Sequence, residues 1–195
     1  MYAFSFLNNK IIKNTIKKIT VVFFVVILFI CSIFCIAKIT LKKTYPIKYE
    51  SKITELSNLY GLEKTLIYAV INVESGFDES VISGAGAVGL MQITPSTANY
   101  VAKMKGAKEF DLLEPSVNLD FGCYYLKYLI VKFKDTNLAL CAYNAGEGNV
   151  FSWLKNKEYS SDGKTLVKIP FKETREYIKK ISFNQAMYRK IYKAN

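Results

Sequence analysis

Hydrophobic residues are distributed unevenly along the chain. Residues 19–37 form an uncharged, almost entirely apolar run that lysines flank on both sides. A helix of this length, at about 1.5 Å per residue, is long enough to cross a hydrocarbon core of roughly 30 Å. We therefore predict a transmembrane helix or signal-anchor over residues 19–37. A cleaved signal peptide is the main alternative, although the run exceeds the usual h-region of roughly 7–15 residues.

From residue 51 onward the apolar residues recur every three or four positions, which is the spacing of amphipathic helices. Apolar spacing predicts helices over 53–59, 66–74, 119–133, 137–143, 150–154 and 172–192. Another helix is expected to begin at Pro95, with Thr94 as its N-cap. We interpret residues 76–89 as a loop, 113–118 as a linker and 146–148 as a helix break. Because no alternating β pattern is sustained, we expect an all-α fold.

These patterns divide the chain into a membrane segment and one folded domain. Pro46 and several lysines mark a connecting stretch before the helical pattern begins. The predicted segments are a short basic segment at 1–18, the membrane helix at 19–37, a basic stalk at 38–50 and a single domain at 51–195.

The net charge of +11 would suggest a nucleic-acid partner, but its distribution argues against one. Residues 1–49 contain eight lysines and no acidic residue, so the rest of the chain carries only +3. Basic residues beside a membrane helix are favoured by anionic lipid headgroups. We therefore expect these lysines to interact with a membrane and not with a nucleic acid.

The chain contains no histidine, which limits the chemistry that the domain can perform. Ser-His-Asp and Cys-His arrangements and histidine-ligated metals are excluded. Cys123 and Cys141 are the only cysteines after the apolar run, and the sequence leaves open whether they pair or remain free thiols. Catalysis by this domain would therefore rely on carboxylates.

Four short segments carry a resemblance to a known family. They are ESGF at Glu74–Phe77, GLMQ at Gly89–Gln92, AYNAG at Ala142–Gly146, and IPF at Ile169–Phe171 followed by ETREY at Glu173–Tyr177. In this order and spacing they resemble the catalytic domain of soluble-type lytic transglycosylases, relatives of goose-type lysozyme. The resemblance extends over about residues 53–188. It implies a lysozyme-like helical domain with a groove between two lobes and minimal β-structure.

Glu74 is the candidate catalytic residue. It is expected at the C-terminal end of an apolar helix, where the helix dipole and apolar neighbours both disfavour the carboxylate form. A raised pKa keeps a glutamic acid protonated near neutral pH, as a general acid requires. Glycosidases normally use two carboxylates, but no segment clearly marks a second one among Asp78, Glu79, Glu147 and Glu173.

The family resemblance implies that one glutamate performs both catalytic steps. Glu74 would protonate the oxygen of the β-1,4 bond between N-acetylmuramic acid (MurNAc) and N-acetylglucosamine (GlcNAc). The resulting carboxylate would then deprotonate the C6 hydroxyl of the same muramoyl sugar, which closes a 1,6-anhydro ring without consuming water.

The resemblance also implies a set of substrate-binding residues beside Glu74. Met91 is expected to line the sugar-binding floor, Gln92 to bond a polar group of the sugar, and Tyr177 to lie near the catalytic carboxyl. Leu90 is expected in the core. The complete predicted set is Ser75, Met91, Gln92, Tyr143, Asn144 and Tyr177.

We therefore expect a peptidoglycan lytic transglycosylase that needs no metal or organic cofactor. Its partners would be peptidoglycan glycan strands and the membrane. Four lysines lie on each side of the apolar run, so the positive-inside rule does not decide the orientation. We place the N-terminus inside and the domain outside because the polymer is outside. A hydrolytic muramidase and a non-catalytic glycan-binding subunit are the alternatives on the same scaffold.

Overall fold

A computed structural model of the protein describes the backbone of residues 2–192 and the side chains of residues 17–192. Within this range the chain forms eight α-helices, together with isolated β-bridges and no named strand. The predicted mainly helical fold is therefore confirmed. The helices are α1 Tyr2–Thr44, α2 Glu50–Tyr60, α3 Lys64–Glu74, α4 Pro95–Lys105, α5 Pro115–Phe133, α6 Thr136–Ala145, α7 Glu147–Lys155 and α8 Lys172–Tyr192.

Helix α1 forms a unit of its own, separate from the compact unit that begins at Tyr45. Its segment Lys17–Thr44 is long and apolar enough to cross a membrane, and its apolar side chains are exposed. The helix extends beyond the predicted run at both ends. The predicted stalk over residues 38–50 is divided between the two units. For the predicted basic segment over residues 1–18, the side chains before Lys17 lie outside the described residues.

Helix α3 lies at the centre of the second unit. Every residue from Thr65 to Ile71 is buried, as expected for a helix that is surrounded by protein. Its main partner is α8, whose buried positions Thr174, Tyr177, Ile181 and Tyr188 share one face. The two helices run in opposite directions, because Arg189 bonds Glu63 at one end and Tyr177 bonds Glu74 at the other.

Two helices begin with a capping residue followed by proline. The backbone N–H of Thr97 donates to Thr94 Oγ1 at 3.2 Å, so the predicted start of α4 is confirmed. Helix α5 begins at Pro115, inside the predicted linker over 113–118, because the Glu114 carboxylate accepts a hydrogen bond from Ser116 N at 3.3 Å. The linker prediction was therefore wrong at its C-terminal end.

The predicted helix break over residues 146–148 is shorter than expected. Gly146 alone makes the turn, with φ of +87°, a value that L side chains rarely adopt. Helix α7 begins at Glu147, and Gly148 lies within it. The break ends α6 directly after Ala145, so the AYNAG segment closes one helix and opens the next.

The segment between α3 and α4 folds back on itself through two antiparallel bridges, Ile82↔Val88 and Val88↔Ile93. The expected minimal β-structure is confirmed. The buried Asn118 of α5 fixes this segment, because its Nδ2 donates to Val88 O at 2.8 Å and its Oδ1 accepts from Met91 N at 2.8 Å. The GLMQ segment is thereby held against α5.

Candidate active site

Glu74 is the last residue of α3, so the most buried helix of the domain carries it. The chain turns sharply after it: Phe77 has φ of +66°, and its side chain is buried against Tyr68 of α3. A buried aromatic anchor directly after the helix end fixes the direction in which Glu74 leaves the core. The predicted position of Glu74 at a helix C-terminus is the one observed.

The Glu74 carboxyl is half-buried and receives a hydrogen bond from Tyr177 Oη to Oε1 at 2.7 Å. Burial raises the pKa of Glu74 to about 7, the Tyr177 hydrogen bond lowers this pKa, and the nearby charge of Glu173 raises it. Desolvation penalises the charged form and therefore dominates. A carboxyl with this pKa exchanges its proton readily at neutral pH, as an acid–base catalyst must.

Glu74 faces an open groove with a volume of about 500 Å³. One face of α8 forms most of its wall, because residues three and four apart on a helix point the same way. The lining residues are Val73, Glu74, Asn144, Lys172, Glu173, Glu176, Tyr177 and Lys180. Of the predicted site residues, the groove therefore brings together Glu74, Asn144 and Tyr177.

Ser75 is placed beside Glu74, but its hydroxyl is used within the protein. Ser75 Oγ donates to Leu90 O at 2.8 Å and accepts from Phe77 N at 3.1 Å. These bonds tie the end of α3 to the GLMQ segment. Ser75 thus fixes the backbone around Glu74.

Met91 and Gln92 occupy positions different from the expected groove wall. Met91 is fully buried and contacts Gly122 of α5, so its side chain belongs to the core. Gln92 has φ of +47°, and its Nε2 donates to Gly89 O at 2.9 Å and Val81 O at 3.2 Å. In this structure the amide nitrogen of Gln92 closes the turn around Gly89. Leu90 is in the core, as expected.

Tyr143 and Asn144, at the end of α6, connect the site to two other elements. Tyr143 Oη donates to Met91 O at 2.8 Å, and its ring lies 5.7 Å from that of Tyr125. Asn144 Oδ1 accepts from Thr174 Oγ1 at 2.7 Å, which orients the carboxamide at the groove. Tyr143 is therefore held by its hydroxyl, while Asn144 lines the groove.

Glu173 is the functional-site residue whose importance the sequence left open. Of the four carboxylates considered as a second catalytic group, it is the one that lines the groove with Glu74. The other three carboxylates have partners elsewhere. Glu79 accepts a hydrogen bond from Tyr49, Glu147 pairs with Lys132, and Asp78 accepts a hydrogen bond from Ser80 N. The spacing of four residues between Glu173 and Tyr177 on a predicted helix was the available signal.

Within the described residues, no group of three or more His, Cys, Asp or Glu side chains is arranged to hold a metal ion. Both cysteines of the domain are free and buried, so Cys123 and Cys141 do not pair.

Arg175 of α8 does not reach Glu74. It donates to the carbonyls of Ile169 and Pro170, which fixes the chain where it enters α8.

Comparison with known proteins places the domain in a family. The transglycosylase SLT domain model matches residues 51–166. The soluble lytic murein transglycosylase of Salmonella typhimurium is 36% identical over 155 residues, covering 76% of this chain and 24% of that protein. The membrane-bound lytic murein transglycosylase C of Haemophilus ducreyi is 31% identical over 166 residues, covering 72% of this chain and 45% of that protein.

Solved structures show the same relationship. The 70-kDa soluble lytic transglycosylase of Escherichia coli superposes with a TM-score of 0.68 at 30% identity, covering 78% of this chain and 26% of that one. An inactive glutamate-to-glutamine mutant of the lytic transglycosylase Slt from Pseudomonas aeruginosa superposes with a TM-score of 0.66 at 31% identity, covering 77% and 25%.

The chain spans about a quarter of the length of its soluble relatives and about half that of the membrane-bound ones. The membrane-bound relatives and the apolar helix α1 together support membrane association. The matched region covers more than half of the chain and contains Glu74, the GLMQ segment and the AYNAG segment, so the protein belongs to the transglycosylase SLT domain family.

Proposed function

We propose that the protein is a membrane-anchored peptidoglycan lytic transglycosylase. Its substrate is the glycan strand, and the bond cleaved is the β-1,4 bond from MurNAc to GlcNAc. The observation that carries the proposal is Glu74, a half-buried carboxyl with a pKa of about 7 that faces an open groove. The related proteins are named lytic murein transglycosylases, which agrees with this assignment.

The proposed mechanism uses Glu74 twice. Protonated Glu74 donates its proton to the glycosidic oxygen as the bond breaks, and the new carboxylate accepts the C6 hydroxyl proton of the muramoyl sugar. The C6 oxygen bonds to C1, so the product ends in 1,6-anhydro-MurNAc. A pKa near 7 suits both steps, because neither protonation state is strongly disfavoured at neutral pH.

The other predicted residues take supporting roles in this proposal. Tyr177 holds the Glu74 carboxyl, and Asn144 offers its carboxamide to the sugar. Ser75, Gln92 and Tyr143 fix the surrounding backbone through the hydrogen bonds described above. Met91 contributes through its backbone carbonyl, which accepts the Tyr143 hydroxyl.

The most direct variant is Glu74→Gln, which keeps the shape of the side chain but removes its acid–base function. We expect the purified full-length protein in detergent to release soluble fragments from peptidoglycan sacculi and Glu74→Gln to release none. Binding to sacculi, measured by co-sedimentation, should be retained. Cleavage by the variant at a rate close to wild type would remove Glu74 from its assigned role.

A hydrolytic muramidase is the second candidate, and Glu173 is the observation that favours it. Its carboxylate lies in the same groove as Glu74 and could activate water. A hydrolase consumes water and leaves reducing MurNAc ends. Reducing ends alone, together with complete loss of cleavage in Glu173→Gln, would establish the muramidase instead.

We further propose that α1 crosses the membrane once, with the N-terminus in the cytoplasm and residues 51–195 outside. The span lies within Lys17–Thr44, which carries the required length and hydropathy. This orientation places the groove in the compartment that contains the polymer.

A further inference from the structure

The segment between α1 and α2 is not a free linker. Residues 45–49, which we call the strap, have no helical structure, yet Tyr45 is 7% exposed. Ile47 and Tyr49 pack against the main hydrophobic core of the domain. The strap reads YPIKY, with one lysine among aromatic and apolar residues, and its burial attaches the segment after α1 to the core of the domain.

The strap is bonded to the last turns of α8. Tyr188 Oη donates to Pro46 O at 3.1 Å, and Tyr192 Oη donates to Tyr45 O at 2.5 Å. The Tyr45 ring lies edge-on to the Tyr188 ring, with centroids 5.6 Å apart. Two carbonyls that lack helix or sheet partners are thereby satisfied, which fixes the strap to α8.

The strap is connected to the chain on both sides of Glu74, through Tyr188 on one side and directly on the other. Asn72, two residues before Glu74, donates from Nδ2 to Tyr188 Oη at 3.0 Å, and Tyr188 is 1% exposed. Tyr49 Oη donates to Glu79 Oε2 at 2.5 Å, in the segment that follows Glu74. The Tyr188 hydroxyl is therefore a junction between α3, α8 and the strap.

The same helix face carries Tyr188 and Tyr177. They are eleven residues apart, which is about three helical turns and returns to the same face. Tyr177 is the residue that donates to Glu74 Oε1. The position of Tyr177 relative to Glu74 therefore depends on how α8 packs on α3, and the junction at Tyr188 is one of the contacts that join these two helices.

We propose that the strap is a positioning element of the active site, which holds α8 on α3 so that Tyr177 stays bonded to Glu74. Tyr188 and the strap residues are positioning residues, since they line no part of the groove. The expected effect on catalysis rests on the proposed function, whereas the position of Tyr177 against Glu74 does not. Other titratable groups that act on Glu74 are Glu173 of α8 and Tyr143 of α6, and both are left in place by the test.

The test measures the pKa of the Glu74 carboxyl directly. Full-length protein in detergent micelles is labelled with ¹³C at glutamate carboxyls, and the Glu74 signal is assigned by its loss in Glu74→Gln. Tyr188→Phe keeps the ring and removes the junction hydroxyl. Because the Tyr177 hydrogen bond lowers the pKa of Glu74, we expect loosening to raise this pKa by roughly half a unit.

A double variant separates positioning from general destabilisation. In the Tyr177→Phe background the contact through which Tyr188 acts is already gone, so adding Tyr188→Phe should give no further shift. Glu63→Gln is the matched control, because it removes a surface ion pair to Arg189 between the same two helices without touching the strap. We expect it to leave the Glu74 pKa unchanged.

Tyr192→Phe provides a second route to the same result, since it removes one strap hydrogen bond at the half-exposed end of α8. Tyr192→Phe should also raise the Glu74 pKa. In Tyr188→Phe we expect kcat to fall by about 3- to 10-fold while KM stays unchanged. An unshifted Glu74 pKa in folded Tyr188→Phe and Tyr192→Phe proteins would overturn the proposal. Because this titration needs no turnover, an inactive wild type would refute the proposed function and leave the strap still testable.

Discussion

At the residue scale, the balance of forces on one carboxyl sets the chemistry. Glu74 lies at the groove end of a buried helix, where desolvation raises its pKa and the Tyr177 hydroxyl opposes this effect. The two influences leave the pKa at about 7. A fully solvated glutamate, with a pKa of about 4.3, would be deprotonated at neutral pH and would lack a proton to donate.

The raised pKa predicts a specific pH dependence of stability. Between about pH 4.5 and 7 the folded protein binds a proton at Glu74 that the unfolded chain has lost, so this group makes folding less favourable as pH rises. Glu74→Gln removes this effect. Thermal unfolding should show the variant more stable than wild type by about 3 kcal/mol at pH 8, with the difference disappearing at pH 4. A pH-independent difference would contradict the assignment of the pKa.

The charge of Glu173 gives a second prediction at this scale. Because it raises the pKa of Glu74, Glu173→Gln should lower that pKa and move the alkaline limb of the kcat/KM profile to lower pH. Cleavage should persist at acidic pH. Glu176→Gln is the control, since Glu176 lines the same groove but is paired with Lys179. A larger shift from Glu176→Gln would contradict this account.

Individual residues differ in how well the sequence reveals them. The helix-end position of Glu74 and the proximity of Tyr177 follow from local spacing and the family motif. The burial of Met91 does not, because it depends on a glycine of α5 that lies far away in sequence. Glu173 was one candidate among four carboxylates, and only the approach of α8 to α3 distinguishes it.

At the element scale, the site depends on how closely the GLMQ segment approaches α5. A Cβ added at Gly122 would lie 2.4 Å from Met91 Sδ and 2.7 Å from Met91 Cβ. Such distances are far below van der Waals contact, so the glycine is required by packing. The approach also places the Met91 carbonyl within reach of the Tyr143 hydroxyl.

Gly122→Ala should therefore destabilise the domain. We expect a loss of about 1–3 kcal/mol, measured by urea unfolding, because Met91 must move within a packed core. Gly148→Ala is the matched control: it lies in helix α7 with nothing within 4 Å of its added Cβ. This variant should be neutral or stabilised by up to about 1 kcal/mol, as alanine favours helix. Equal destabilisation by both substitutions would contradict the packing argument.

Helix existence was predictable from apolar spacing, whereas two helix starts were not. Thr94-Pro95 is a typical cap followed by proline, whereas the same arrangement at Glu114-Pro115 is harder to identify because glutamate is a less common N-cap. The start of α7 is hidden in the sequence because two glycines suggest a longer break, while Gly146 alone makes the turn. Local propensity indicates where a helix can end, and neighbouring elements decide where it does.

At the scale of the whole molecule, the chain combines an apolar helix with a compact domain. If α1 anchors the protein, it should remain in the membrane fraction after an alkaline wash, with its N-terminus intact. A variant lacking residues 1–44 should become soluble. Alkaline phosphatase, which requires an oxidising compartment, should be active when fused after residue 195. An inactive phosphatase fusion would contradict the proposed orientation, and a mature N-terminus beyond residue 37 would show that the segment is cleaved.

The chemical form of the cleavage product distinguishes a lytic transglycosylase from a hydrolase most directly. Full-length protein is incubated with purified sacculi, and the soluble muropeptides are analysed by mass spectrometry without prior reduction. A muramidase that produces reducing ends serves as the reference digestion, and Glu74→Gln as the inactive control. If Glu74 acts as both acid and base, the fragments should end in 1,6-anhydro-MurNAc, each lighter by one water than the reference product. Fragments with only reducing MurNAc ends would contradict it.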